Sequence, residues 1–144
     1  QAVPFPGFKF QLNAVLASLG LANLEGIEEA LAKQRAHAKY YDLAFEGSAV
    51  GPLKRDRRSS CWLYSVRVKD AEAFIAGMGT KGIECSPVHH RNDVQPIFAA
   101  YRTPLKAMDL LAKELVVIPS GWFLDEADCA QVAQAALAVA KDLA

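Results

Sequence analysis

The chain has 144 residues, 52% of them apolar and 22% charged, with sixteen basic and sixteen acidic side chains. That length supports one domain with a real core, and the cancelled charge excludes a global field that would recruit nucleic acid or an anionic membrane. No run reaches membrane-spanning length, and residues 1–10, with two prolines and no continuous apolar core, are not a signal peptide, so a soluble cytoplasmic protein is expected.

Pro4 and Pro6 push their preceding residues toward extended backbone, and Gly7 allows a sharp approach, so residues 1–12 read as an extended arm or loop. Asn13 is placed to cap a helix, after which Val15, Leu16, Leu19, Leu24, Ile27 and Leu31 recur near helical spacing. Gly20 and Gly26 permit a bend, so residues 13–46 are expected to form a long, bent connecting helix. Glu25, Glu28, Glu29, Lys33, Arg35 and Lys39 give its second half a solvated face, and Gly47 is a natural stop. Such a helix, wet on one side and dry on the other, commonly joins two bodies.

Residues 47–60 collect glycines, a proline, serines and the basic cluster Lys54, Arg55, Arg57 and Arg58, interrupted by Asp56 and without interleaved aromatics. A solvated loop is expected there rather than a nucleic-acid contact. In residues 61–68, Trp62, Tyr64, Val66 and Val68 alternate with Leu63, Ser65 and Arg67 at the period of a half-buried strand, which places Trp62 and Tyr64 in the core. Asp70 caps a short helix with Phe74, Ile75 and Met78 on its inner side and Gly79 and Gly82 at its end.

Residues 83–88 form a second strand candidate, and Pro87, which cannot donate to a ladder, favours an edge or a strand end. Thr103 and Pro104 start another helix, with Leu105, Met108 and Leu111 as its inner stripe. Residues 115–118 are a short continuous apolar run, expected as a central strand covered on both faces and ended by Pro119, Ser120 and Gly121. Trp122 and Phe123 are expected to pack in the core. Asp125 and Asp128 pair as a cap for the last helix, whose stripe is Val132, Ala136, Val139 and Leu143. The fold class is therefore α/β (α+β): a long N-terminal helical region, then a small C-terminal α/β domain over residues 47–144 with a mixed sheet of about three strands covered by helices.

The polar run His89, His90, Arg91, Asn92 and Asp93 reads from its residues alone as a hydrogen-bonded surface loop. Cys85, His89, His90 and Asp93 do not converge as metal ligands along a strand end, so no metal site is expected. Cys61, Cys85 and Cys129 sit singly in apolar surroundings, which predicts three buried thiols and suits a reducing compartment. No nucleophile and base are spaced as a catalytic pair.

Two stretches carry a family resemblance: Gly7-Phe8-Lys9-Phe10-Gln11-Leu12-Asn13 leading into Leu19-Gly20-Leu21-Ala22-Asn23-Leu24, and Gly82-Ile83-Glu84-Cys85-Ser86-Pro87-Val88-His89. Together with Ile118-Pro119-Ser120 and the closing helix, they resemble the DegT/StrS-type sugar aminotransferases, pyridoxal-phosphate enzymes of fold type I, over that family's C-terminal portion. The resemblance implies a small domain of that fold, a homodimer or a neighbouring large domain as partner, and a nucleotide-sugar substrate. It also implies that Lys9 and Gln11 lie in a loop reaching the cofactor phosphate across a dimer interface, where an amide or a cation can donate to the dianion. His89 matches the family histidine facing the substrate entrance, and Arg91 and Asn92 continue as candidates for the pyrophosphate or sugar.

In the family, the lysine that forms the Schiff base and the acid that holds the pyridinium proton lie upstream, in the large domain. Lys9 falls in the loop after that lysine and matches no lysine motif. No catalytic residue is therefore expected within these residues, and the chain by itself is expected not to transaminate. The alternative is a stand-alone non-catalytic binding or oligomerisation module with the same small-domain fold.

Overall fold

The computed structural model describes residues 7, 12–56, 58–87 and 91–144. The expected long helix is two: α1, Ala14–Leu24, and α2, Ile27–Ala44. Asn13 caps α1 by accepting from the Leu16 amide at 2.9 Å. The break falls at Glu25 and Gly26, where the Gly26 backbone leaves helical geometry (ψ 6°). On α2, Lys33 and Glu29 pair at 3.1 Å on the solvated face, and the chain turns away past the helix at Gly47, whose φ of +69° favours glycine.

Among the described residues four strands follow: β1 (Gly51–Pro52), β2 (Tyr64–Arg67), β3 (Ser86–Pro87) and β4 (Leu115–Ile118), in the spatial order β1-β2-β4-β3. The layered α/β arrangement is as expected, with one strand more. The pairings are all antiparallel rather than mixed. The reason is topological. Strands β2 and β3 run the same way, joined through helix α3 (Ala71–Thr80), but β4 inserts between them and is antiparallel to both. Pro87 lies on the edge strand, where its missing N–H is harmless.

Cross-strand register puts Tyr64 opposite Ile118 and Val66 opposite Val116, and all four side chains are buried. Helices α2, α3 and α5 (Glu126–Asp142) complete this core. Asp70 caps α3 through the Ala73 amide at 3.0 Å. Asp125 and Asp128 form a reciprocal capping box on α5 at 2.8 and 3.1 Å. Helices α3 and α5 touch closely at Gly77, where an added Cβ would lie 2.7 Å from Val139 Cγ1. Tyr41 of α2 joins the layers: its ring stacks on Phe45 and tilts against Tyr64 at 4.9 Å, and its hydroxyl donates to the Pro119 carbonyl at 2.8 Å.

Several expectations about burial are corrected. Trp62 is 67% exposed, because Cys61 turns the chain with φ +53° and the strand begins only at Tyr64, so the alternation does not reach back to residue 62. Trp122 and Phe123 are exposed as well. The Phe123 ring lies over Gly121, close enough that a Cβ there would be 2.2 Å from it, and Leu124 packs against the core instead. Strand β4 is central but not covered on both faces: Val116 and Ile118 are buried, whereas Leu115 and Val117 are half-buried. In helix α4 (Lys106–Glu114), Met108 is exposed and Leu111 half-buried, with Leu105 exposed at the cap. All three cysteines are buried free thiols, as expected.

Candidate functional site

Of the nominated side chains, Lys9, Gln11 and His89 lie outside the described residues, and Arg91 and Asn92 lie within them. Arg91 opens the excursion between edge strand β3 and helix α4. Two 3-10 helical turns follow, Asn92–Val94 and Pro96–Tyr101, the second started by proline at its first position. Their carbonyls would be left without partners by so short a helix. Arg102 meets that need by donating to the carbonyls of Asp93 at 2.8 Å and Val94 at 2.7 Å.

Arg91 is the hub of this segment. Its Nε and Nη2 donate to the two oxygens of Asp93 at 2.9 and 2.6 Å, a fork-to-fork pair, while Nη1 donates to Asp109 in the first turn of α4. The structure thus brings Arg91 and Asn92 to one short turn, with Asn92 exposed and its carbonyl accepting from the Gln95 amide at 3.0 Å. Hydrogen bonds from Arg91 hold the Asp93 carboxyl below the usual carboxylate range, and Asp93 followed by Asp109 raises the Arg91 guanidinium further. Neither group changes protonation near neutrality, so the pair does not shuttle a proton. Asp109 and Arg102 were not nominated from sequence. The available signal was the short return through Thr103 and Pro104, which brings the start of α4 back beside residue 91.

Elsewhere, a groove of about 560 Å³ runs between α2 and the segment after β1, lined by Arg35, Lys39, Asp42, Lys54, Arg55 and Cys61. Within the basic cluster Lys54 and Arg58 are exposed, as expected of a solvated loop, and Arg55 departs from that reading. Arg55 is half-buried, binds Asp42 at 2.6 Å and lies 4.5 Å over the Tyr64 ring, while Tyr64 donates to the same carboxylate at 2.8 Å. Arg35 donates to the carbonyls of Ser59 and Arg58 at 3.0 and 3.3 Å. Burial pushes the Cys85 thiol up to about 11, with the Glu84 charge adding to it, so this thiol is a poor nucleophile.

A pyridoxal-phosphate site needs a lysine in a desolvated pocket, an acid facing the ring nitrogen and donors for the phosphate. Every lysine among the described residues is exposed. The described residues therefore do not fit the reactive half of such a site. What they bring together at this end of the sheet is a polar turn that carries Arg91 and Asn92.

The chain is similar to several known proteins over part of their length. The chain is 29% identical over 139 residues to GDP-perosamine synthase of Caulobacter vibrioides, covering 90% of this chain and 38% of that protein. The sugar aminotransferase CalS13 from Micromonospora echinospora superposes with a TM-score of 0.83 at 34% identity, over 92% of this chain and 37% of that one. The Streptococcus pneumoniae protein Spr1654, in its PLP-form, has the same fold at 19% identity, with a TM-score of 0.83 over 98% of this chain and 39% of that one. The chain thus spans less than two fifths of the length of each of these relatives. The DegT/DnrJ/EryC1/StrS aminotransferase family, whose members depend on pyridoxal phosphate, matches residues 1–137, and with that span and the shared small-domain fold the chain belongs to this family.

Proposed function

We propose that this chain is the C-terminal portion of a pyridoxal-phosphate-dependent nucleotide-sugar aminotransferase, and that these 144 residues by themselves do not transaminate. The observation that supports this most is the family match over residues 1–137 at a span of 37–38% of the relatives' length. A relative named as a synthase of a GDP-linked sugar favours a nucleotide-linked substrate.

In this reading residues 1–12 are an arm, residues 13–46 a connector and residues 47–144 the small domain. Lys9 and Gln11 serve the cofactor phosphate, and His89, Arg91 and Asn92 serve the nucleotide-sugar. A homodimer or a large domain covers the apolar side chains left open on α1 and α4, among them Leu16, Leu19, Met108 and Leu110. Three buried free thiols suit the reducing cytoplasm, and no helix among the described residues is long and apolar enough to cross a membrane.

When bound, pyridoxal phosphate supplies the electron sink for amino transfer. The contribution of this chain is to bind and orient the anionic parts of the ligands through Arg91, Asn92 and the arm. Amino transfer from glutamate to a keto-sugar nucleotide, measured with added pyridoxal phosphate and the purified chain, tests the proposal. No turnover is expected, and turnover above the protein-free blank would refute it. A chain that is soluble and well behaved by itself, with no binding of nucleotide or cofactor, would favour the stand-alone module instead.

A further inference from the structure

Three of the five N–H donors of Arg91 are already engaged, at least one on each nitrogen. Asp93 takes the Nε and Nη2 side of the guanidinium, and Asp109 takes Nη1. The two carboxylates are not equivalent. Asp93 is two residues from Arg91, its side chain is 26% exposed, and its backbone is tied down by Arg102. Asp109 reaches in from another element, its side chain is 57% exposed, and water can replace its single bond to Arg91.

Charge points the same way. Arg91 and Arg102 are matched in number by Asp93 and Asp109, so these four side chains together carry no net charge. If Asp109 turns out to solvent, one positive charge is left over and the Nη1–Nη2 edge regains its open member, the geometry that suits a phosphate oxygen pair.

We propose that Asp109 holds the place of a diphosphate on Arg91 and is displaced when a nucleotide-sugar binds, so that Asp109 sets the affinity of the site without touching the sugar. The inference rests on the reading of Arg91 as a substrate ligand. It makes Asp109 a positioning residue that acts through Arg91, and it explains why an anion-binding arginine carries two carboxylates.

The test uses the 144-residue chain and inorganic pyrophosphate, with dissociation constants measured by titration calorimetry at low and high salt. Asp109→Asn is expected to bind roughly three- to ten-fold tighter than wild type at low salt, with the gain shrinking as salt screens it. In the Arg91→Ala/Asp109→Asn double variant the gain disappears. Asp109→Ser replaces Asp109→Asn if circular dichroism shows that α4 is altered.

Equal affinity of wild type and Asp109→Asn overturns the displacement, as does a gain that survives in the double variant. If Arg91→Ala alone weakens binding while Asp109→Asn changes nothing, Arg91 is a ligand and only the displacement fails. If Arg91→Ala leaves binding unchanged, or neither wild type nor Asp109→Asn binds at millimolar pyrophosphate, the reading of Arg91 fails and takes the inference with it.

Discussion

Helices α1 and α5 are both rich in alanine and larger apolar residues, yet they have opposite fates. Helix α5 buries Cys129, Val132, Ala133, Ala135, Ala136, Val139 and Ala140, whereas α1 buries nothing. The difference is not in helix formation, since each is capped by a side chain as its sequence demands. It lies in what stands opposite. Helix α5 faces α2, α3 and the covered side of the sheet, and the apolar side chains of α1 face solvent. Hydrophobic periodicity tells which side of a helix would accept a neighbour, and only the fold tells whether the neighbour is present. The chain is complete as a core and open along α1 and α4.

Substitutions can break or sharpen that contrast, and the largest effect is expected in the closed region. Phe74 is fully buried, and Phe74→Ala should cost about 3–5 kcal/mol by leaving a cavity, read from urea unfolding. Gly77→Ala should cost roughly 1–3 kcal/mol by forcing a Cβ to 2.7 Å from Val139 Cγ1, and Val139→Ala placed with it should restore part of the loss. Tyr41→Phe removes the 2.8 Å bond to the Pro119 carbonyl and should cost about 1 kcal/mol or somewhat more, since the carbonyl loses its partner.

On the open side, Leu19→Gln on α1, measured at a concentration where the chain is monomeric, should change stability by no more than about 0.5 kcal/mol while improving solubility. A loss comparable to that of Phe74→Ala would mean that α1 belongs to the core after all. The smallest effect is a pH response at Asp93. Because Arg91 hydrogen bonds depress its folded-state pKa, the stabilisation from the Arg91–Asp93 pair is fully present above the unfolded value of about 3.9 and is lost as pH falls through the lower folded value. The Arg91 Nε–H resonance should therefore hold steady from neutrality down to about pH 4 and move only below it. A midpoint at or above the ordinary value would show the pair to be loose.

Much of the closed region was legible because its signals are local. Asn13, Asp70 and Asp125 act as caps within three residues of their partners, and Pro87 announces an edge through the donor it lacks. What was hidden depends on distance or on a single backbone angle. Strand β1 is two residues in a glycine- and proline-rich stretch and exists only by pairing with β2. The positive φ of Cys61 shifts the start of β2 and leaves Trp62 outside. Asp109 reaches Arg91 across eighteen positions, and no periodicity connects them. The family motifs at residues 7–13 and 82–89 pointed to the family, whereas the partners of Arg91 could be found only in three dimensions.

The central claim is that these residues recognise ligands for a reaction whose reactive lysine they do not contain. The absorption spectrum of the purified chain after incubation with pyridoxal phosphate and exhaustive dialysis tests it most directly. The account predicts a spectrum matching the cofactor-free protein. A persistent Schiff-base band, fixed by borohydride reduction to one lysine of this chain, would contradict it.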